Sequence, residues 1–245
     1  MENSTSLIIT GASPGIGRAV ALRLAQPPRA GYGQGWDGCL VLTGRSRKRL
    51  KETKAQVEAV GGAAMVIACD LTQPTAMEEL VTFAEAQAPL YGVVMSAGSA
   101  SYGPVAEHSP ADWRRTLEIN LLAPYQLSRS ALARMAPRKQ GHLIFINSVA
   151  GLKSFAGSSA YVAAKHGLRG FTETLRQEAR EQGVKVSSIF PGATDTEWWD
   201  QLGDDVPRHR MLRPEDVAAA VDFVLSFSEL GVVEELVVRH LSGDF

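Results

Sequence analysis

Thr10-Gly11-Ala12-Ser13-Pro14-Gly15-Ile16-Gly17-Arg18 follows the strand-like run Leu7-Ile8-Ile9 and opens directly into a helical pattern, and its reading decides the fold. Gly11, Gly15 and Gly17 let the backbone turn tightly, approach a bound pyrophosphate and pack a helix closely on a strand. The helix start then offers free N–H groups and the positive end of its dipole to phosphate. A three-glycine turn is weak on its own, because such turns are common. Its place between a first strand and a first helix strengthens it, with Gly11, Ser13, Pro14, Gly15, Ile16 and Gly17 as candidate cofactor contacts.

The same alternation continues outward. Apolar runs at Leu7–Thr10, Leu40–Thr43, Ala64–Ala68, Gly92–Ser96, His142–Asn147, Val184–Phe190 and Glu235–Arg239 are separated by helix-length amphipathic stretches. Runs without strict polar alternation suit strands covered on both faces, and βαβ repetition implies a parallel sheet. Ser109-Pro110-Ala111-Asp112 carries a serine cap, a proline in the first turn and an acid three residues on. The expectation is one doubly wound α/β domain over 1–245, with a seven-stranded parallel sheet flanked by helices. Gln26–Gly38 is longer than such connections usually are. It reads as a surface loop, or as a contact element, at the edge of the sheet opposite the ligand edge.

Composition narrows the class further. With 245 residues, 45% hydrophobic and 21% charged, the chain suits one globular domain. Its 25 basic and 26 acidic residues form no like-charge block, so nucleic acid and anionic membrane surfaces are not expected partners. No apolar stretch approaches the ~20 residues of a membrane span, and the amino terminus lacks a leader pattern, so the cytoplasm is expected. Cys39 and Cys69 fall at opposite ends of neighbouring strands, which argues against a disulfide. The five histidines and two cysteines show no metal-ligand spacing, and no metal is expected.

Two groups of residues carry chemistry. At the nucleotide end, Leu42-Thr43-Gly44-Arg45-Ser46-Arg47 has Gly44 and Arg45 where an enzyme using NAD places an acid for the ribose 2′-hydroxyl. A guanidinium there suits a 2′-phosphate, so Arg45 and Ser46 point to NADPH. Otherwise Arg45–Arg49 is a solvated basic helix start. Asp70 and Leu71 end the third strand near the expected adenine, although an isolated acid there also serves as a turn or cap residue. Ser96, Ala97 and Gly98 end the fourth strand, where an adenosine ribose would cross. At the chemical end, Ser148 closes the fifth strand, and Tyr161 and Lys165 stand one helical turn apart on one face. Carbonyl reduction needs a proton donor and a group to hold the oxygen as charge develops. Lys165 would favour the phenolate of Tyr161, lowering a pKa ordinarily near ~10, and Ser148 would hold the substrate oxygen. Singly, each residue has a structural explanation; in this order after a nucleotide turn they form a candidate catalytic set.

On these residues the chain resembles the short-chain dehydrogenase/reductase family over essentially its whole length. The matching marks are Thr10–Gly17, Ser96–Gly98, Asn120, Ser148, Tyr161–Lys165 and Pro191-Gly192. The resemblance implies a Rossmann fold, a homodimer or homotetramer, and Tyr161 as acid/base. It implies that Lys165 binds the nicotinamide ribose and that Asn120 holds a proton-relaying water, where the residues alone also allow Asn120 merely to kink its helix. It further implies cofactor contacts at Tyr161, Lys165, Pro191, Gly192, Thr194 and Thr196. Ser96 departs from the family's usual asparagine, which puts the anchoring of that strand in question.

A narrower resemblance is to bacterial sepiapterin reductases. It rests on the long first connection, a short lid at about 194–212 containing Thr196-Glu197-Trp198-Trp199, and the ending Val233–Arg239 with Ser242-Gly243-Asp244. It implies a small-molecule carbonyl substrate, here a pterin. Trp198 or Trp199 would stack on the flat ring, unless one of them packs the lid or a dimer surface. Ser148, Tyr161, Leu152 and Phe155 would complete the substrate wall. Reduction of other ketones, aldehydes or 3-hydroxy acids is the alternative on the same machinery. A protein that senses NADP without turnover is the second alternative.

Overall fold

A parallel strand covered by helices on both faces has no solvent side, and Ser6–Thr10 (β1) shows the consequence, with all five residues buried. Leu7 and Ile9 face one apolar layer and Ile8 faces the other. The computed structural model describes residues 5–27, 36–73, 75–202 and 206–243. After β1 come Gly15–Leu24 (α1), Cys39–Gly44 (β2), Arg47–Ala59 (α2), Ala63–Ala68 (β3), Ala76–Gln87 (α3) and Leu90–Met95 (β4). The second half runs Pro110–Leu117 (α4), Ala123–Met135 (α5), Gly141–Ile146 (β5), Ser159–Glu181 (α6), Val184–Pro191 (β6), Pro214–Leu225 (α7) and Glu235–Val238 (β7).

All the described strand pairs are parallel, and the sheet order is β3-β2-β1-β4-β5-β6-β7. The expected doubly wound, seven-stranded architecture is the one observed. α1, α2 and α7 cover one face, with Leu24, Leu50 and Val221 in its core. α3, α5 and α6 cover the other, with Leu80, Leu127 and Leu168. Strand order reverses between β1 and β4, which opens a crevice at their carboxyl ends. An ion pair of 2.7 Å between Arg23 on α1 and the buried Asp222 on α7 ties two helices on one face.

Local signals match in detail. The Ser109 side chain caps α4 by accepting from Asp112 N at 3.4 Å. Cys39 pairs with Ala63 at the start of β2 and β3, whereas Cys69 follows the end of β3; both are free thiols, as their separation requires. The described ends of the long first connection lie at the amino-terminal edge of β2, and one of them is more than surface. Trp36 packs on the core and stacks obliquely on Tyr91 at 5.3 Å, while 28–35 lie outside the described residues. Among the described residues no helix is long and apolar enough to cross a membrane.

His142 is buried in β5 and shares a 2.8 Å hydrogen bond with the Ser187 hydroxyl of β6. Burial, with Lys185 nearby, lowers its pKa from 6.5 to about 3. The unfolded chain therefore takes up a proton below pH 6.5 that the folded chain refuses, and stability falls with pH across that window. Urea titrations should show this histidine alone removing about 2 kcal/mol between pH 6.5 and 5. A His142→Gln variant should show a correspondingly flatter profile; an unchanged slope would refute the assignment.

Candidate active site

The turn after β1 is held by hydroxyls. Thr10 Oγ1 accepts from Ser96 N and Ala97 N, both at 3.0 Å, joining the ends of β1 and β4 where the crevice opens. This answers the doubt raised by Ser96, since the anchor is the Thr10 side chain acting on backbone amides. Thr53 on α2 donates to Ala12 O at 3.0 Å, supporting the turn from behind. Gly11 and Gly15 take φ of +66° and +63°, and a Cβ on Gly17 would stand 2.4 Å from Gly11 O. No side chain caps α1, so its first N–H groups remain for a ligand. The Ser13 hydroxyl is buried with no partner and points to the same unfilled demand. An unpartnered hydroxyl, a cradle without Cβ atoms and an uncapped helix fit a pyrophosphate. Ile16 packs partly on the core behind them.

At the end of β2, Arg45 is exposed and its charge helps hold Asp70 below the usual carboxylate range. The larger cause there is Thr72, whose N–H and hydroxyl donate to Asp70 Oδ1 at 3.0 and 2.9 Å. Asp70 is thus a turn-forming residue, the alternative that its sequence context allowed, with only one oxygen outside that turn. Leu71 beside it is buried. Ser46 caps α2 by accepting from Arg49 N at 3.4 Å. Gly98 lies against the Asn120 side-chain oxygen, 2.9 Å from where a Cβ would stand.

Tyr161 and Lys165 share one face of α6, with the ammonium 5.5 Å from the phenol ring centre. Ser148 closes β5 and heads the tight helical turn Val149–Gly151, its hydroxyl accepting from Ala150 N at 3.1 Å. That turn brings Ser148 within hydrogen-bonding reach of the Tyr161 phenol. Lys165 is buried, donates from Nζ to Ile146 O at 3.0 Å, and has its pKa lowered to about 7 by desolvation. The expected lowering of the Tyr161 pKa is not what these groups produce. The hydroxyl end lies deep, burial pushes the phenol above its ordinary value, and the Ser148 hydrogen bond offsets only part. The physical reason is that Lys165, itself desolvated, holds its charge weakly.

Asn120 sits in a one-turn π-helix, Glu118–Leu122, between α4 and α5. It also has a polar role: Nδ2 donates to Ser99 O at 2.6 Å and Thr116 O at 2.9 Å, while Oδ1 is buried without a partner. The sequence reading passed over Asn147. Its N–H donates to Ile189 O at 2.8 Å and its Nδ2 to Lys165 O at 3.3 Å. It therefore joins β6 and α6 behind Ser148, and nothing in a lone strand-end asparagine signals those partners.

The lid folds back onto the sheet. Thr194 bridges Leu212, Asp195 N donates to Leu212 O at 2.8 Å, and Leu212 N donates to Ala193 O at 2.9 Å. Residues 203–205 lie outside the described residues. Gly192 N donates to Val238 O at 2.8 Å, which anchors Pro191-Gly192 to β7. The Thr194 hydroxyl is tied to Gly192 O at 3.0 Å, and the Thr196 methyl rests on Gly15. The two tryptophans divide. Trp199 donates to Thr194 O at 2.9 Å and pins the lid, whereas Trp198 meets the Tyr161 ring edge to face at 5.4 Å. The Trp198 N–H is buried with no partner of acceptable geometry, although the Tyr102 phenol lies beside it. Leu152 and Phe155 follow Ser148 on the same connection, and Lys153 covers the Phe155 ring at 4.9 Å. A cavity of about 330 Å³ between α1 and the lid is lined by Gly15, Arg18, Thr196 and Arg208, and Tyr161 is not among its lining residues.

The chain is similar to known proteins over nearly its whole length. The family model for short chain dehydrogenases matches residues 5–207. A sepiapterin reductase of Chlorobaculum tepidum is 34% identical, covering 97% of each chain. A 3-oxoacyl-(acyl-carrier-protein) reductase of Aggregatibacter actinomycetemcomitans is 32% identical, covering 96% of this chain and 97% of that one. Among solved structures, a metagenomic short-chain oxidoreductase in complex with NADP superimposes with a TM-score of 0.82 at 31% identity, covering 96% of each chain.

Two substitutions test the turn. Thr10→Val strands two amides, each costing about 1–3 kcal/mol, so urea denaturation should show a loss of about 2–6 kcal/mol, largely restored in Thr10→Ser. Gly17→Ala should leave a folded chain, judged by circular dichroism, whose dinucleotide affinity is at least about tenfold weaker.

Proposed function

This chain belongs to the short-chain dehydrogenase family, and on that premise we propose that it is an NADPH-dependent carbonyl reductase acting on the side-chain carbonyl of a pterin. Oxidoreductase chemistry follows from the family. The observation that carries the finer reading is the convergence of the Ser148 hydroxyl, the Tyr161 phenol and the Trp198 ring at one edge of the sheet, beside the glycine turn.

Bound NADPH would supply the hydride. Gly11, Ser13, Pro14, Gly15, Ile16 and Gly17 would hold its pyrophosphate, and Arg45 and Ser46 its 2′-phosphate. Asp70, Leu71, Ser96, Ala97 and Gly98 would hold the adenosine, and Pro191, Gly192, Thr194 and Thr196 the nicotinamide half. The protein's own part is then proton transfer and placement. The Ser148 oxygen already accepts from Ala150 N, which leaves its O–H to donate to the substrate oxygen. Tyr161, kept protonated by burial, gives its proton to that oxygen as negative charge develops. Lys165 is held on the Ile146 carbonyl close enough to stabilise the phenolate left behind. The unpartnered Asn120 oxygen supports a relay water behind Lys165.

Trp198 supports the pterin reading because its ring already contacts Tyr161, while the indole of Trp199 is committed to the lid backbone. The 3-oxoacyl reductase, similar at 32% identity, favours a second reading in which the carbonyl belongs to a non-pterin ketone. Tyr125 on α5, Phe223 on α7 and Phe227 just beyond its end are exposed and support a homodimer or homotetramer.

In assays following NADPH oxidation, Tyr161→Phe should bind NADPH normally and lose about 10²- to 10⁴-fold in kcat. Retained turnover would remove its role. Wild type should reduce sepiapterin with a higher kcat/KM than simple ketones. Trp198→Ala should raise KM for sepiapterin about tenfold with little effect on a small aldehyde. Equal effects on both would favour the non-pterin reading.

A further inference from the structure

The first turn of α2 is electrostatically awkward. Arg47, Lys48 and Arg49 crowd the positive end of the helix dipole, and the turn contains no acid. The compensating carboxylate comes from far away in the chain. Arg49 Nη1 lies 2.5 Å from Glu197 Oε2, and Glu197 belongs to the lid. The residue before it, Thr196, rests its methyl on Gly15, 3.0 Å from where a Cβ would stand. One end of the lid therefore lies on the glycine turn while its next residue reaches the first turn of α2, where the Arg49 N–H donates to the side chain of Ser46, the residue after Arg45. Arg45, at that same end, is within electrostatic range of Asp70. Both side chains of the pair are about half exposed, at 49% and 52%, and an exposed pair of this kind is weak and readily exchanged.

We propose that Glu197 competes with the 2′-phosphate of the dinucleotide for the Arg49 guanidinium, so that the lid senses which dinucleotide is bound and Glu197 sets the margin between NADPH and NADH. The proposal rests on the reading of the glycine turn and Arg45 as a dinucleotide site, and it assigns Arg49 and Glu197 to coenzyme choice rather than to the reaction. A phosphate near −2 in charge forms stronger charge-assisted hydrogen bonds with a guanidinium than a carboxylate does, so it displaces Glu197 where NADH, with a 2′-hydroxyl, leaves the pair intact. Release of Glu197 then frees the segment that carries Trp198, next to Tyr161.

Equilibrium titration of NADPH and NADH, followed by quenching of protein fluorescence, tests this without any turnover. Glu197→Gln should bind NADPH roughly two- to five-fold more tightly, the range that an exposed ion pair spans, and leave NADH affinity unchanged. Arg49→Gln should weaken NADPH alone, and adding Glu197→Gln to it should then change nothing. An unaltered ratio of the two affinities in Glu197→Gln overturns the proposal, as does weaker NADPH binding or an equal gain for both dinucleotides. If wild type binds NADPH and the ratio fails to move, only this inference falls; a wild-type chain that binds neither dinucleotide sinks the site reading with it.

Discussion

One hydroxyl holds the crevice in shape. At the point where strand order reverses, β1 and β4 part company, and their backbone amides would be left without ladder partners. Thr10 Oγ1 accepts from two of them, Ser96 N and Ala97 N, and so fixes the distance between the two halves of the sheet. That distance brings Gly11 so close to Ala97 that a Cβ would touch its backbone at 3.0 Å. The absence of side chains at 11 and 17, the direction of α1 and the open N–H groups at its start all follow from this junction. The Thr53 hydroxyl on the Ala12 carbonyl is the matching restraint from α2.

The chemical end rests on a different constraint, the cost of burying ionisable groups. Desolvation drives Lys165 down to about 7 and Tyr161 up, so burial works against the charged form of both groups. A phenol and an amine poised in this way are sensitive to any charge that arrives beside them, which is a useful property in a proton-transfer site. The scaffold spends polar backbone and amide groups to keep them there. Ile146 O receives the ammonium, while Asn147 ties β6 to the helix that carries both residues. Gly151 is required by the same arrangement, since a Cβ there would lie 2.7 Å from Asn147 Oδ1.

The lid is neither a free loop nor part of the sheet. Its root is fixed by the Thr194–Leu212 bridge and by Trp199 on Thr194 O, and its middle by Arg208, which pairs with Asp195 at 2.6 Å and with Asp200. Arg208, Asp195 and Asp200 also line the 330 Å³ cavity. Trp198 meets Tyr161 edge to face, while the Trp199 indole N–H is used on Thr194 O.

Periodicity and turn chemistry are local properties, and they were readable in the amino-acid order. The seven apolar runs match β1 to β7 to within about two residues at each end, the Ser109 cap and the Tyr161–Lys165 pair stand as expected, and the separated cysteines are free. What remained hidden involves partners distant in sequence. Thr10 meets amides 86 and 87 positions away, and Arg49 meets Glu197 at a separation of 148. The choice of Trp198 over Trp199, the use of Asp70 in its own turn and the upward push on Tyr161 depend on burial and geometry, which exist only once the chain is packed. The order of residues thus determined the architecture and named the candidate reacting groups. Tertiary packing decided their electrostatics and the anchors that hold them, because desolvation and long-range hydrogen bonds have no counterpart along the chain.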